Sequence, residues 1–251
     1  MLKKILIYQD YVGGNNNAHN MIAFQKAHPT ALVKFCDADE IIDGILTSDI
    51  DVFVMPGGRA SYYCEKLNGE GNRQIRNYVA QGGTYFGICG GAYYACDKTQ
   101  WAKDQTDAIC VSGELCFYQG SATGPVYDFI ENGDTECSWD QAVSLTLSNG
   151  DIMTALYRAG PCFSEPLDEK TTVIARYTDI KGQPPAILNC SFGKGRAILT
   201  STHIECCPAL YEKMIYKHRN PSYEWQLDVL QKYKTGWSAK TDIFPKILDC
   251  A

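Results

Sequence analysis

The stretch Gly82-Gly83-Thr84-Tyr85-Phe86-Gly87-Ile88-Cys89-Gly90-Gly91-Ala92-Tyr93 decides how this chain folds. Thr84–Ile88 is an apolar run of strand length, and Ala92–Cys96 behind it is helix-like. Between them sits Gly87-Ile88-Cys89-Gly90-Gly91, a Gly-x-nucleophile-x-Gly sequence. A strand-to-helix turn of this kind is so sharp that only glycines fit around it. It lifts the central side chain above the sheet and aims the following N–H groups at whatever that side chain attacks. With 22 Gly and 12 Cys in 251 residues, composition alone produces Gly-x-Cys-x-Gly in about one such chain in ten. The same letters also describe a buried cysteine in a glycine-rich turn, so the surroundings must decide.

Two further pieces lie at strand ends. Ala197–Ser201 reads as a strand, and His203-Ile204-Glu205 follows it. A protonated thiol is a poor nucleophile and needs a base. A histidine serves near neutral pH, and a carboxylate orients it and stabilises its charged form. A lone histidine is otherwise an ordinary core or surface residue; the adjacent Glu205 favours the catalytic reading. Pro56-Gly57-Gly58-Arg59 follows the apolar run Val52–Met55. Acyl transfer needs preorganised donors where an oxyanion forms. The N–H of Gly58, or of Gly57, together with that of Gly90 makes a two-donor hole; the competing reading is a plain strand-ending turn. Arg59 is a candidate for a substrate carboxylate or a solvated surface arginine. Tyr62, Tyr63, Tyr93 and Tyr94 line an aromatic pocket or pack in the core, and Tyr93 is taken as a substrate-binding candidate.

Composition sets the bounds. At 251 residues, 45% hydrophobic, the chain has room for one large α/β domain or two small ones. No apolar run is long enough to span a bilayer. Met1–Tyr8 mimics the start of a signal peptide but stops at Gln9-Asp10 with no cleavage site, so it reads as a first buried strand. A net charge of −6 gives no basic footprint for nucleic acid or an anionic membrane. The 12 cysteines form no Cys-x-x-Cys pairs, so a zinc site is not expected. Reduced thiols and a cytoplasmic location are expected instead.

Strands are expected at Ile5–Tyr8, Ala31–Phe35, Asp51–Met55 and Thr84–Ile88. Helices are expected at about His19–Ala27, at Asp39–Leu46 behind an Asp cap, and at Asn72–Ala80 closed by Gly82; the loop Gly13-Gly14-Asn15-Asn16-Asn17 follows the first strand. This alternation implies a parallel sheet with helices on both faces and ligands at the strands' carboxyl ends. From about 101 to 166 the texture is β-rich, with runs at Ala108–Val111, Leu115–Tyr118, Ala142–Leu147 and Met153–Tyr157. Turn signals lie at Gly120, Gly124-Pro125, Asn132-Gly133, Asn149-Gly150 and Gly160-Pro161; Asn149-Gly150 is a hairpin signal. This insertion is expected to form one wall of the site. Thr172–Tyr177, Ala186–Ser191 and Arg196–Ser201 return to the sheet, the last two joined through Gly193-Lys194-Gly195. From Pro208 to the end, about 208–251, the chain is expected to be helical, with Trp225, Leu227 and Leu230 packing back. With no repeat and no linker, residues 1–251 read as one domain.

With Pro-Gly-Gly-Arg, the Gly82–Tyr93 stretch and His-Ile-Glu in this order, the chain resembles the class I glutamine amidotransferase-like superfamily. More narrowly, it is similar to the family named for the N-terminal domain of eukaryotic biotin–protein ligases. The resemblance covers most of the chain and is weakest in the β-rich insertion and the C-terminal helices. It implies a flavodoxin-like, mostly parallel sheet and a Cys89–His203–Glu205 triad. Glutaminase domains usually carry Gln or Glu four residues after the nucleophile; here Tyr93 stands there, so glutamine hydrolysis does not carry over. Gly90 after the cysteine argues against the intracellular-protease-like group, where His commonly follows. Gly193-Lys194-Gly195-Arg196 superficially resembles a ligase adenylate loop, but nothing around it supports the match. No cofactor, biotin and ATP included, is expected.

Two functions compete. One is a cysteine hydrolase or amidotransferase-like enzyme acting on a small-molecule or peptide amide or ester. The other is a regulatory, partner-binding module that keeps the triad architecture. A dinucleotide-dependent oxidoreductase is disfavoured, because no Gly-x-Gly-x-x-Gly follows the first strand.

Overall fold

The structure is a computed structural model and describes residues 2–10, 15–103, 105–106, 108–130, 139–217 and 223–248. The first third alternates as the sequence predicts: β1 (Lys4–Tyr8), α1 (Asn15–Ala27), β2 (Leu32–Cys36), α2 (Ala38–Ile42), β3 (Val52–Met55), α3 (Ala60–Leu67), α4 (Glu70–Ala80), β4 (Thr84–Ile88) and α5 (Gly90–Tyr94). Strands then dominate: β5 (Cys96–Trp101), β6 (Ile109–Ser112), β7 (Tyr118–Gly124), β8 (Asp140–Leu147), β9 (Ile152–Arg158), β10 (Cys162–Phe163), β11 (Thr171–Tyr177), β12 (Pro185–Phe192) and β13 (Gly195–Thr200). Helices α6 (Pro208–Lys217), α7 (Tyr223–Gly236) and α8 (Phe244–Ile247) follow.

Nine strands form the main sheet, in the order β2-β1-β3-β4-β13-β12-β11-β8-β9. The first five are parallel. Their order is the flavodoxin-like one, in which ligands sit beyond the carboxyl ends of the strands. The other four continue antiparallel, so the sheet is parallel in one half and antiparallel in the other. Alternate residues feed two cores. Val52, Val54, Phe86 and Ile198 pack on one face with α1, α6, α7 and α8. Phe53, Met55, Tyr85 and Leu199 pack on the other with the buried side chains of α2 to α5 and the second sheet.

That second sheet has four strands, β10-β7-β5-β6. The β-rich stretch therefore divides. Its early strands and β10 build the small sheet, while β8 and β9 extend the main one. The Asn149-Gly150 hairpin joins β8 to β9, and Gly193-Lys194 joins β12 to β13. Of the expected strand Leu115–Tyr118 only Tyr118 is in a strand, at the start of β7; Leu115 and Phe117 lie in the loop before it and plug the core, and β7 runs on through Gly120 to Gly124. The expected Asp cap of α2 is Asp37, in a reciprocal capping box with Glu40, so the helix starts at Ala38 and ends at Ile42, short of Leu46. The Asn132-Gly133 turn and Gly13-Gly14 lie outside the described residues.

The antiparallel half curls. A flat sheet would put β9 roughly 24 Å from β4, five strand spacings away. Instead Leu156 in β9 forms an isolated antiparallel bridge with His203, just beyond β13, and Arg158 O lies 3.3 Å from Cys89 Sγ. The far edge of the sheet comes back to the carboxyl end of its middle.

Candidate functional site

Cys89 has φ +49° and ψ −103°, a region few non-glycine residues occupy, and its N–H donates to Thr200 O at 2.8 Å. Backbone strain at a strand-to-helix corner is the mark of an elbow. Its neighbours leave no room for side chains. A Cβ on Gly90 would overlap the Gly58 carbonyl oxygen, and one on Gly57 would sit 2.6 Å from His203 Cε1, 3.3 Å from its Nε2 and 3.5 Å from Cys89 Cβ. Gly57 thus lies directly against both the imidazole and the cysteine. The N–H groups of Gly58 and Gly90 have no backbone acceptor among the described residues.

His203 is fixed from three sides. Its N–H donates to Leu156 O at 2.7 Å, its Nδ1 meets Glu205 Oε1 at 2.8 Å, and its Cε1–Nε2 edge packs on Gly57, which also faces Cys89 Cβ. Cys89 and His203 are each 8% exposed and Glu205 is 6% exposed. Burial alone pushes the imidazole pKa down. The Glu205 charge and hydrogen bond, with the nearby Cys89 sulfur, outweigh it and raise the pKa to about 10. The Cys89 thiol donates to Arg158 O at 3.3 Å. Glu205 Oε2 is buried with no hydrogen-bond partner among the described residues.

Beside the imidazole runs a narrow cleft lined by Asn20 of α1, Gly57, Leu156 and Arg158 of β9, Glu205, and Leu210 and Met214 of α6. Arg158 carries no sequence motif and is not among the sequence candidates. Counting outward from the Asn149-Gly150 turn places it opposite Asp140, and that register is the available signal. Its Nε donates to Asp140 Oδ1 at 2.8 Å, and the Asp140 charge raises its pKa further. Asp140 Oδ2 also accepts from Tyr211 Oη at 2.9 Å and Gln226 Nε2 at 3.0 Å.

Other candidates fall elsewhere. Tyr93 is 4% exposed, donates to Ala159 O at 3.1 Å and stacks edge-on against Trp101, so its hydroxyl is already engaged. Tyr63 donates to Pro56 O and Tyr94 to Asn72 Oδ1, both buried. Of the two readings offered for these tyrosines, pocket lining or core packing, Tyr63, Tyr93 and Tyr94 take the second. Arg59 is exposed, 5.8 Å from the Tyr62 ring, and does not line the cleft. Among the described residues no group of three or more His, Cys, Asp or Glu is placed to hold a metal ion, and no helix is long and apolar enough to cross a membrane.

A sheet half in flavodoxin-like order that ends in a cysteine elbow beside a glycine turn is consistent with the class I glutamine amidotransferase-like superfamily. Within it, the chain belongs to the family described as biotin-protein ligase, N terminal, whose sequence model matches residues 4–247. It is 33% identical over 159 residues to an uncharacterized protein of Chlamydia muridarum, covering 62% of this chain and 61% of that one. It is 28% identical over 183 residues to the biotin–protein ligase of Schizosaccharomyces pombe, covering 70% of this chain and 29% of the ligase. The chain thus spans less than two thirds of either relative. Among solved structures it is similar to a GH42 β-galactosidase from G. stearothermophilus, with TM-score 0.50, 14% identity, and 86% of this chain and 30% of that one covered. A protein provisionally assigned as a GMP synthase component from Thermoplasma acidophilum gives TM-score 0.50 and 12% identity, over 94% of this chain and 97% of that one. Both likenesses concern the fold.

Proposed function

We propose that the protein is a cysteine-dependent amidohydrolase or amidotransferase-like enzyme, acting on a small-molecule or peptide amide or ester through Cys89, His203 and Glu205. The observation that carries this reading is an imidazole pinned by Glu205 at 2.8 Å and packed, across Gly57, against a cysteine on a strained elbow. The Cys89 thiolate attacks the carbonyl carbon, forming a C–S bond and an oxyanion that the Gly58 and Gly90 N–H groups stabilise. The His203 imidazolium donates its proton to the leaving nitrogen or oxygen as that bond breaks. Neutral His203 then takes a proton from water or an acceptor amine, which attacks the thioester and releases the thiolate. Glu205 orients the ring through its hydrogen bond to Nδ1. Biotin ligation, the activity named for the S. pombe relative, is not part of the proposal. The reading takes residues 1–251 as one cytoplasmic domain.

A second reading, a partner-binding module, draws on the burial of Cys89 and His203. Alkylation by iodoacetamide across pH, read by mass spectrometry, separates the two. An enzyme has Cys89 reacting below pH 7 about tenfold or more faster than exposed Cys110, and His203→Ala abolishes the advantage. A Cys89 that reacts like Cys110, with or without His203, overturns the catalytic reading.

A further inference from the structure

The cleft beside His203 holds one charged group that the proposed chemistry does not use, the guanidinium of Arg158. Among the described residues, only the Nε donor of its five N–H groups is engaged, by Asp140. The terminal nitrogens have no acceptor among the described residues, and the side chain is 29% exposed. Its position is not adjustable. Asp140 lies directly across the β8–β9 ladder and is itself held by Tyr211 and Gln226, while Trp225 Nε1 donates to the Asp140 carbonyl at 2.8 Å. The backbone carbonyl of the same arginine touches the Cys89 sulfur, so the guanidinium and the thiol are registered to each other through one residue.

We propose that this cleft binds a substrate whose acyl part carries a carboxylate, with the Nη1/Nη2 edge of Arg158 recognising it. The inference rests on the catalytic reading of Cys89. A planar carboxylate matches the end-on fork of a guanidinium with two parallel N–H···O bonds. Of the two acidic neighbours, Asp140 is committed to Arg158, and Glu205 gives Oε1 to His203 while its Oε2 has no partner among the described residues. Leu156, Leu210 and Met214 supply apolar walls for the carbon chain between carboxylate and carbonyl.

Iodoacetate and iodoacetamide test this without knowledge of the natural substrate. In both, the thiolate forms an S–CH₂ bond and iodide leaves; they differ in a carboxylate against a neutral amide. The readout is the ratio of the two second-order rate constants at Cys89, divided by the same ratio at Cys110. The His203 imidazolium attracts iodoacetate in every variant, so the change between variants isolates Arg158. In wild type the normalised ratio is expected to exceed that of Arg158→Gln by about tenfold, the lower end of what charge-assisted hydrogen bonds supply. Arg158→Lys keeps the charge without the fork and is expected to fall between. Because Arg158→Gln strands a buried carboxylate, the double variant Arg158→Gln/Asp140→Asn serves where the single one fails to fold. A normalised ratio near one in wild type, a ratio unchanged in the variants, or no reaction of Cys89 with either reagent overturns the proposal. Failure of the catalytic reading is seen separately, as iodoacetamide reactivity of Cys89 that ignores His203.

Discussion

At the scale of single residues, His203 carries a signature readable from stability alone. Its folded pKa, about 10, lies above the roughly 6.5 of a free imidazole. A raised pKa means the fold binds the proton more tightly than the unfolded chain does. The stability this contributes is complete below about pH 6.5 and is lost as pH rises towards 10. The urea midpoint of wild type is therefore expected to fall between pH 7 and 10 relative to His203→Gln, measured side by side; parallel curves would show the imidazole unbiased. The sequence announces this residue because His-x-Glu sits in one short segment. It announces Cys89 for the same reason, through the glycines that make the elbow. Arg158 is silent because its partners Asp140, Tyr211 and Gln226 come from distant segments, joined only by the curl of the sheet.

At the scale of elements, legibility follows burial. Strands β3 and β4, buried along most of their length, read as apolar runs and fall within a residue of where they are expected. β5 escapes the sequence reading because Cys-Asp-Lys-Thr-Gln-Trp is half-exposed and polar, and β7 because its glycines imitate turns. Helix α3 begins at Ala60 behind Arg59, which makes no side-chain cap, so no start signal precedes it. The Asp140 network ties β8 and β9 to α6 and α7, which makes it a test of how those elements are held. Asp140→Ala leaves Arg158 without its partner and is expected to cost about 3–5 kcal/mol by urea denaturation. Asp140→Asn retains an acceptor for Tyr211 and is expected to cost less. Equal, small losses would mean that helix packing alone secures these elements.

At the scale of the molecule, the parallel half is written in the alternation of strands and helices, but the antiparallel half and its curl are not. Hairpins fix local register and say nothing about where a sheet's far edge comes to rest. β9 is that edge, and a single bridge at Leu156 fastens it to the segment after β13. Edge elements open at lower free energy than central ones. In sub-denaturing urea, Cys89 is expected to become accessible to a bulky maleimide before tryptophan fluorescence reports unfolding, whereas Cys190, inside β12, follows the global transition. Simultaneous labelling of both would place β9 in the same cooperative unit as the centre. The curl thus makes a clasp of the last strand in the sheet: the thiol sits under its tongue, and whatever loosens that fastening, near the centre or far out along the hairpin, uncovers the sulfur.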